Sequence, residues 1–275
     1  MAGRWALAWG WMAGTGGWGV AGRRAWGGVG LGSAIGTGPM PDHRLSTPLP
    51  TFADTRLAAH RLAVYVVSPA RRRATGRIGL RAAPGAVYAT PPFDGGTVRL
   101  EAARLVRERD GEREGAPLTS LAAAAAFLLD GPPDLEYAAG FDVPGAGDID
   151  APLALDPAAA EQLGAWYRFG FGVLGTLRDE AGGDASEVQL WPEHFDAALD
   201  APCGGGRITL GASPGDATSD EPYLYVLPPG PVERGDTWNA TGFAGAVLPL
   251  SAFVDAGDQR AAALEFLRGR RDAAT

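Results

Sequence analysis

The most regular alternation of apolar and polar positions lies between residues 156 and 178, where Leu163, Trp166, Gly170, Val173 and Leu177 recur at spacings of three and four. That is the period of one helical face. Asp156-Pro157 opens it with a capping residue followed by proline at the first helical position. Tyr167, Phe171 and Leu174 flank the stripe, so its aromatics read as core. Gly170 and Gly175 predict close approach to a sheet, at a cost of about 1 kcal/mol each.

Elsewhere the period alternates between helix and strand. Asp54 caps a predicted helix over about 54–67, with Leu57, Arg61, Val64 and Tyr65 on one face and a β-branched run weakening its end. Ile78, Leu80 and Ala82 then alternate with Arg77, Gly79 and Arg81, the two-residue period of a half-buried strand. Further strands are expected over 87–91, 97–101 and 105–109, closed by the turn Asp110-Gly111, which is an antiparallel meander. Ser120 opens an alanine-rich helix to about Leu129, ended by Gly131-Pro132-Pro133. Residues 131–155 read as a crossing loop. Val188 with Leu190, Ile208 with Leu210, and Leu224 with Val226 mark three more strands, with a turn at Gly204-Gly205-Gly206. A last helix covers about 259–270, its arginines at the end that the helix dipole favours. The pattern predicts an α+β fold, in which antiparallel sheets pack against a long central helix and flanking helices. Residues 40–275 form a single domain of two sheet-forming halves joined by the loop 131–155 and the helix 156–178.

The first 39 residues break this order. Five of the eight tryptophans fall within the first 26 residues, among glycines and without an acidic residue. No apolar run there is long enough for a membrane span, and Arg23-Arg24 follows the apolar stretch instead of preceding it, unlike a secretory signal. The glycines at 28, 30, 32 and 36 lack the strand and helix that a dinucleotide loop requires. The expectation is that residues 1–39 are a disordered or mis-annotated extension and that translation begins at Met40.

Charge narrows the function classes. All 24 basic residues are arginine, and the net charge is −8. The first 39 residues carry +3, residues 40–113 carry +6 and residues 114–275 carry −17. Opposite charges on two parts of one chain favour their docking, and the acidic second half argues against nucleic acid. Arg71-Arg72-Arg73 is the one basic run and reads as a solvated face. A single cysteine, Cys203, needs no oxidising compartment, so a cytoplasmic location is expected, with no membrane partner.

Two motifs bear on chemistry. Gly211-Ala212-Ser213-Pro214-Gly215 matches the spacing of a nucleophile elbow, but Pro214 has no N–H for an oxyanion hole and His43, His60 and His194 all precede Ser213. A serine hydrolase of that type is rejected. Trp191-Pro192-Glu193-His194-Phe195-Asp196 is the densest polar and aromatic cluster. His194 can act as base or ligand, with Glu193 or Asp196 as partner. In an extended segment His194 and Asp196 share a side, whereas Glu193 and His194 do not. Asp216, Asp220, Glu221, Tyr223, Tyr225, Trp238 and Asn239 are candidates to complete a ligand site, carboxylates beside amphipathic rings suiting a small polar molecule. The cluster is expected to bind a small polar molecule or a metal ion of unassigned identity, with hydrolytic chemistry at His194, Asp196 and Glu193 left open. One histidine among scattered carboxylates equally suits a structural role, and both readings stay open.

The blocks WPEHFDA and LGASPGD, with the closing AALEFLRG, resemble a family of uncharacterised actinobacterial proteins over most of residues 52–270. The resemblance implies a domain starting near Met40 and transfers no catalytic residue.

Overall fold

The computed structural model describes residues 44–93, 96–217 and 219–275, so the reading of residues 1–39 lies outside the described part. Arg44–Thr275 form one unit. It is an α+β fold with two antiparallel meanders and a long helix.

The first helical segment is longer than expected. Helix α1 (Phe52–Leu62) runs through a π-helical stretch at Ala63–Val67 into α2 (Ser68–Thr75), which ends at Gly76 with φ 72°. The β-branched run does not terminate the helix, because all five residues of the π stretch are buried and packing outweighs their low propensity. The start also differs. Thr51 occupies the cap position without a side-chain bond, and Asp54 lies in the first turn, where the helix dipole favours an acid.

The first sheet has the order β1-β2-β3-β4, formed by Tyr88–Ala89, Thr97–Glu101, Arg104–Arg109 and Glu112–Pro117. Its last strand carries no hydrophobic alternation; six residues paired with β3 hold it, and exposed ion pairs such as Arg107 with Glu114 at 2.7 Å add little. Ser120 caps α3 (Leu121–Leu129), accepting from the Ala123 N–H at 3.1 Å. The crossing segment includes a short helix α4 (Leu135–Ala138).

Helix α5 (Pro157–Ala181) has the expected cap, Asp156 accepting from the Ala159 N–H at 2.8 Å, and its whole apolar stripe is buried. It lies against α1 and against the second sheet. That sheet has the order β5-β6-β7-β8-β9: Gln189–Trp191, Asp196–Cys203, Gly206–Ser213, Tyr223–Leu227 and Ala246–Pro249. A Cβ on Gly170 would stand 2.7 Å from the Cβ of Ala212 on β7, so glycine is what lets α5 approach this closely. Gly175 meets nothing within 4 Å, and the close approach expected there is absent. Helix α6 (Gln259–Ala273) covers α5 and β8.

Residues 80–81 splice the two meanders. Leu80 bridges Leu190 of β5, and Arg81 bridges Ala89 of β1. Alternation along β6, β7 and β8 then gives the second sheet two faces. Leu199, Ala201, Ile208, Leu210, Ala212, Leu224 and Val226 form the core face. Asp196, Gly211, Ser213, Tyr223 and Tyr225 share the opposite face.

Candidate functional site

Trp191 of β5 pairs with Asp196 of β6, so Pro192–Phe195 form a four-residue turn. The Phe195 N–H donates to the Trp191 carbonyl at 2.7 Å, and Phe195 takes φ 56°. A bulky residue in the left-handed region costs on the order of 1 kcal/mol or more. Burial of its ring offsets this. Phe195 stacks on His60 at 4.6 Å and 6°, and meets Tyr88 and Tyr167 edge-on at 6.0 and 5.6 Å. Two hydrogen bonds tie the same turn to the helices: His60 Nε2–H of α1 donates to the Pro192 carbonyl at 2.9 Å, and the Tyr167 hydroxyl of α5 donates to the Phe195 carbonyl at 2.8 Å.

Asp196 is the first residue after this anchored turn. It is 5% exposed, and the Tyr225 hydroxyl donates to its Oδ2. Tyr225 reaches it from two strands away because its cross-strand partner is Gly211: the ring lies where a Cβ on residue 211 would be. Alongside, the Tyr223 hydroxyl donates to Asp216 Oδ2 at 2.6 Å, and Ser213 bonds the same tyrosine. The loop carrying Asp216 is held from the helix side. Arg56 of α1 donates to the carbonyls of Pro214, Asp216, Ser219 and Asp220 at 3.2–3.4 Å.

The electrostatics follow from burial. Desolvation raises the Asp196 carboxyl above its ordinary pKa, with Asp216 adding to it, while His194 and the Tyr225 hydrogen bond oppose. Glu193 is raised for the same first reason, with Asp196 adding and His194 opposing. Burial and then the neighbouring Asp196 carry Tyr225 well above the tyrosine range, and Tyr223 is raised by burial and Asp216. Burial depresses His60 to about 3, so it is a neutral donor. Asp196 Oδ1, Glu193 Oε2 and the Tyr137 hydroxyl are buried without a hydrogen-bond partner among the described residues.

The structure therefore brings together Glu193, His194, Asp196, Asp216, Tyr223 and Tyr225. Trp191 begins the same turn on the same sheet face as Asp196, its cross-strand partner. The extended-segment argument for His194 and Asp196 fails, because His194 lies in the turn while Asp196 begins β6; both Glu193 and Asp196 lie in the field of His194. Four expected site residues have local structural roles instead. Glu221 accepts from the Ser251 N–H and hydroxyl at 2.8 and 2.9 Å, and Asn239 exchanges two hydrogen bonds with Val247. Trp238 belongs to the apolar core, and Asp220 is exposed, offering its carbonyl to Arg56. Sequence reasoning missed Arg56, His60 and Tyr167, which lie up to 164 residues from what they hold. No local pattern marks such residues.

Among the described residues no three His, Cys, Asp or Glu side chains are grouped to hold a metal ion. No described helix is long and apolar enough to cross a membrane. The run Arg71–Arg73 is engaged within the fold: Arg71 is buried and donates to the Gly79 carbonyl, Arg72 lies over the Tyr137 ring, and Arg73 pairs with Asp134. A cavity of about 170 Å³ lies apart from the cluster, walled by Phe93, Val98, Leu128 and Leu129 with Arg73 and Arg107. No protein-family model, curated protein or solved structure matches the chain.

Proposed function

We propose that this protein binds a small polar molecule on the polar face of the second sheet, beside the Pro192–Phe195 turn, with Asp196 and Tyr225 at the centre and Glu193, His194, Asp216 and Tyr223 around them. The carrying observation is Asp196 itself. It is a carboxyl 5% exposed, with one oxygen held by Tyr225 and the other unbonded among the described residues. Burying such a group costs several kcal/mol unless all its hydrogen bonds are made, and the sheet could be closed there by an apolar residue. A carboxyl perturbed by burial beside aromatic rings is a candidate for a binding site. Both distinctive blocks converge on it, WPEHFDA supplying Glu193, His194 and Asp196 and LGASPGD supplying Ser213 and Asp216. Hydrolysis has less support, since Ser213 is 4% exposed, accepts from the Gly215 N–H and precedes a proline. A bacterial cytoplasmic setting fits a chain with one free, buried cysteine.

One observation favours a structural role: each tyrosine already bonds a carboxyl within the fold. The two readings separate in a thermal-shift and amide-NMR screen of small amines, polyols and organic acids. A ligand at about a hundred times its dissociation constant adds roughly 2.7 kcal/mol. Binding should move the amides of residues 193–197 and 213–216, and Tyr225→Phe should weaken it. A screen in which every class leaves these amides unmoved supports the structural role.

A further inference from the structure

We infer that the molecule recognised at this site is a small organic cation, a primary amine or a guanidine; this rests on the ligand-binding reading above. The argument is the balance of donors and acceptors. The protein's donors around the turn are engaged: Tyr225 with Asp196, Tyr223 with Asp216, His60 with the Pro192 carbonyl, and the Arg56 guanidinium with four backbone carbonyls. The open carboxyl oxygens are acceptors. Asp196 Oδ1 and Glu193 Oε2, three residues apart across one turn, are buried and unbonded among the described residues.

An independent observation comes from α4. Tyr137 is 6% exposed, its hydroxyl is unbonded among the described residues, and it lies within the field of Glu193. A phenol hydroxyl can accept from a bound donor while offering its own proton to a carboxyl oxygen. An ammonium or guanidinium brings donors and no acceptor, so it can serve these oxygens without needing a donor in return. A polyol brings acceptors for which these engaged donors leave little provision. An acid meets two carboxyls. The rings of Tyr223, Tyr225 and Phe243, at centroid spacings of 6.3 Å, add faces that attract a cation.

The test uses the full chain with n-butylammonium and methylguanidinium, beside n-butanol, glycerol and butyrate, read by titration calorimetry and by the amides of residues 193–197. The cations are expected to bind and to displace protons, seen as a buffer-dependent heat, because a bound cation favours the ionised carboxyls. Asp196→Asn and Glu193→Gln should each weaken binding by at least about tenfold. Glu193 lies on the turn, so its variant carries the test alone if Asp196→Asn does not fold. If a neutral or acidic probe moves the same amides as strongly, the cation inference falls and ligand binding stands. If no probe of any class moves them, both fall.

Discussion

Packed flat against Phe195, His60 is neutral in the fold, with a pKa near 3 against about 6.5 in an unfolded chain. Between those values the unfolded chain binds more protons, so the His60 contribution to stability is lost as the pH falls from about 6.5 toward 3. The slope is bounded by about 1.4 kcal/mol per pH unit, and the partial exposure of His60 places it below that bound. Asp196 and Glu193 act in the opposite sense, since their raised pKa values let the folded chain take up protons first and gain stability as the pH falls toward about 4. Urea melts across pH 4 to 7 should therefore show His60→Gln losing less stability on acidification than the wild type, and Asp196→Asn losing more. A second prediction concerns Gly211. Alanine there must displace the Tyr225 ring, so Gly211→Ala should cost about 1–3 kcal/mol in denaturant melts and detach the tyrosine from Asp196. At this scale the sequence shows Asp196, because a histidine and two acids beside a tryptophan form a visible cluster. Gly211 reads only as one glycine of a motif, and its role depends on a ring from the next strand.

Elements were legible where one local rule dominates. Helix α5 has a cap, a proline and a continuous stripe, and extends only three residues past its expected end. Strand β6 was not expected, since DAALDAPC lacks the β-branched and aromatic residues that mark strands. Small side chains are what this position requires, because α5 passes at Gly170–Ala212 distance over β6 and β7. The helix through residues 52–75 failed the opposite way, propensity arguing for a stop that burial of the π stretch overrides. Arg56 joins α1 to the loop after β7 through four carbonyls of residues 214–220. Arg56→Ala should leave the helix intact by circular dichroism while the loop amides and Asp216 lose hydrogen-exchange protection. Unchanged protection would show that the loop is held without Arg56, by Tyr223 and by its own turn, in which the Ser219 N–H donates to Asp216 Oδ1 at 3.1 Å.

Across the whole molecule, the charge asymmetry read from the sequence appears as specific reach. Arg56, Arg61 and Arg73, from the basic part, lie against the carbonyls of 214–220, the Gly145 carbonyl and Asp134 in the acidic part. The first meander closes at Pro117, just past the charge boundary, and the second lies wholly in the acidic part, with residues 80–81 as the backbone splice between them. The crossing segment exposes residues 139–142. A protease should nick the chain there first, and the two pieces should co-elute as a native-like nicked molecule, since each retains its own hydrogen-bonded sheet. After separation in denaturant they should complement one another when mixed, at a rate that falls as salt screens the attraction between the positive and negative pieces. The crossing loop thus makes the two pieces a natural pair for a split-protein reporter, whose reassembly would rebuild the anchoring of the Pro192–Phe195 turn on His60.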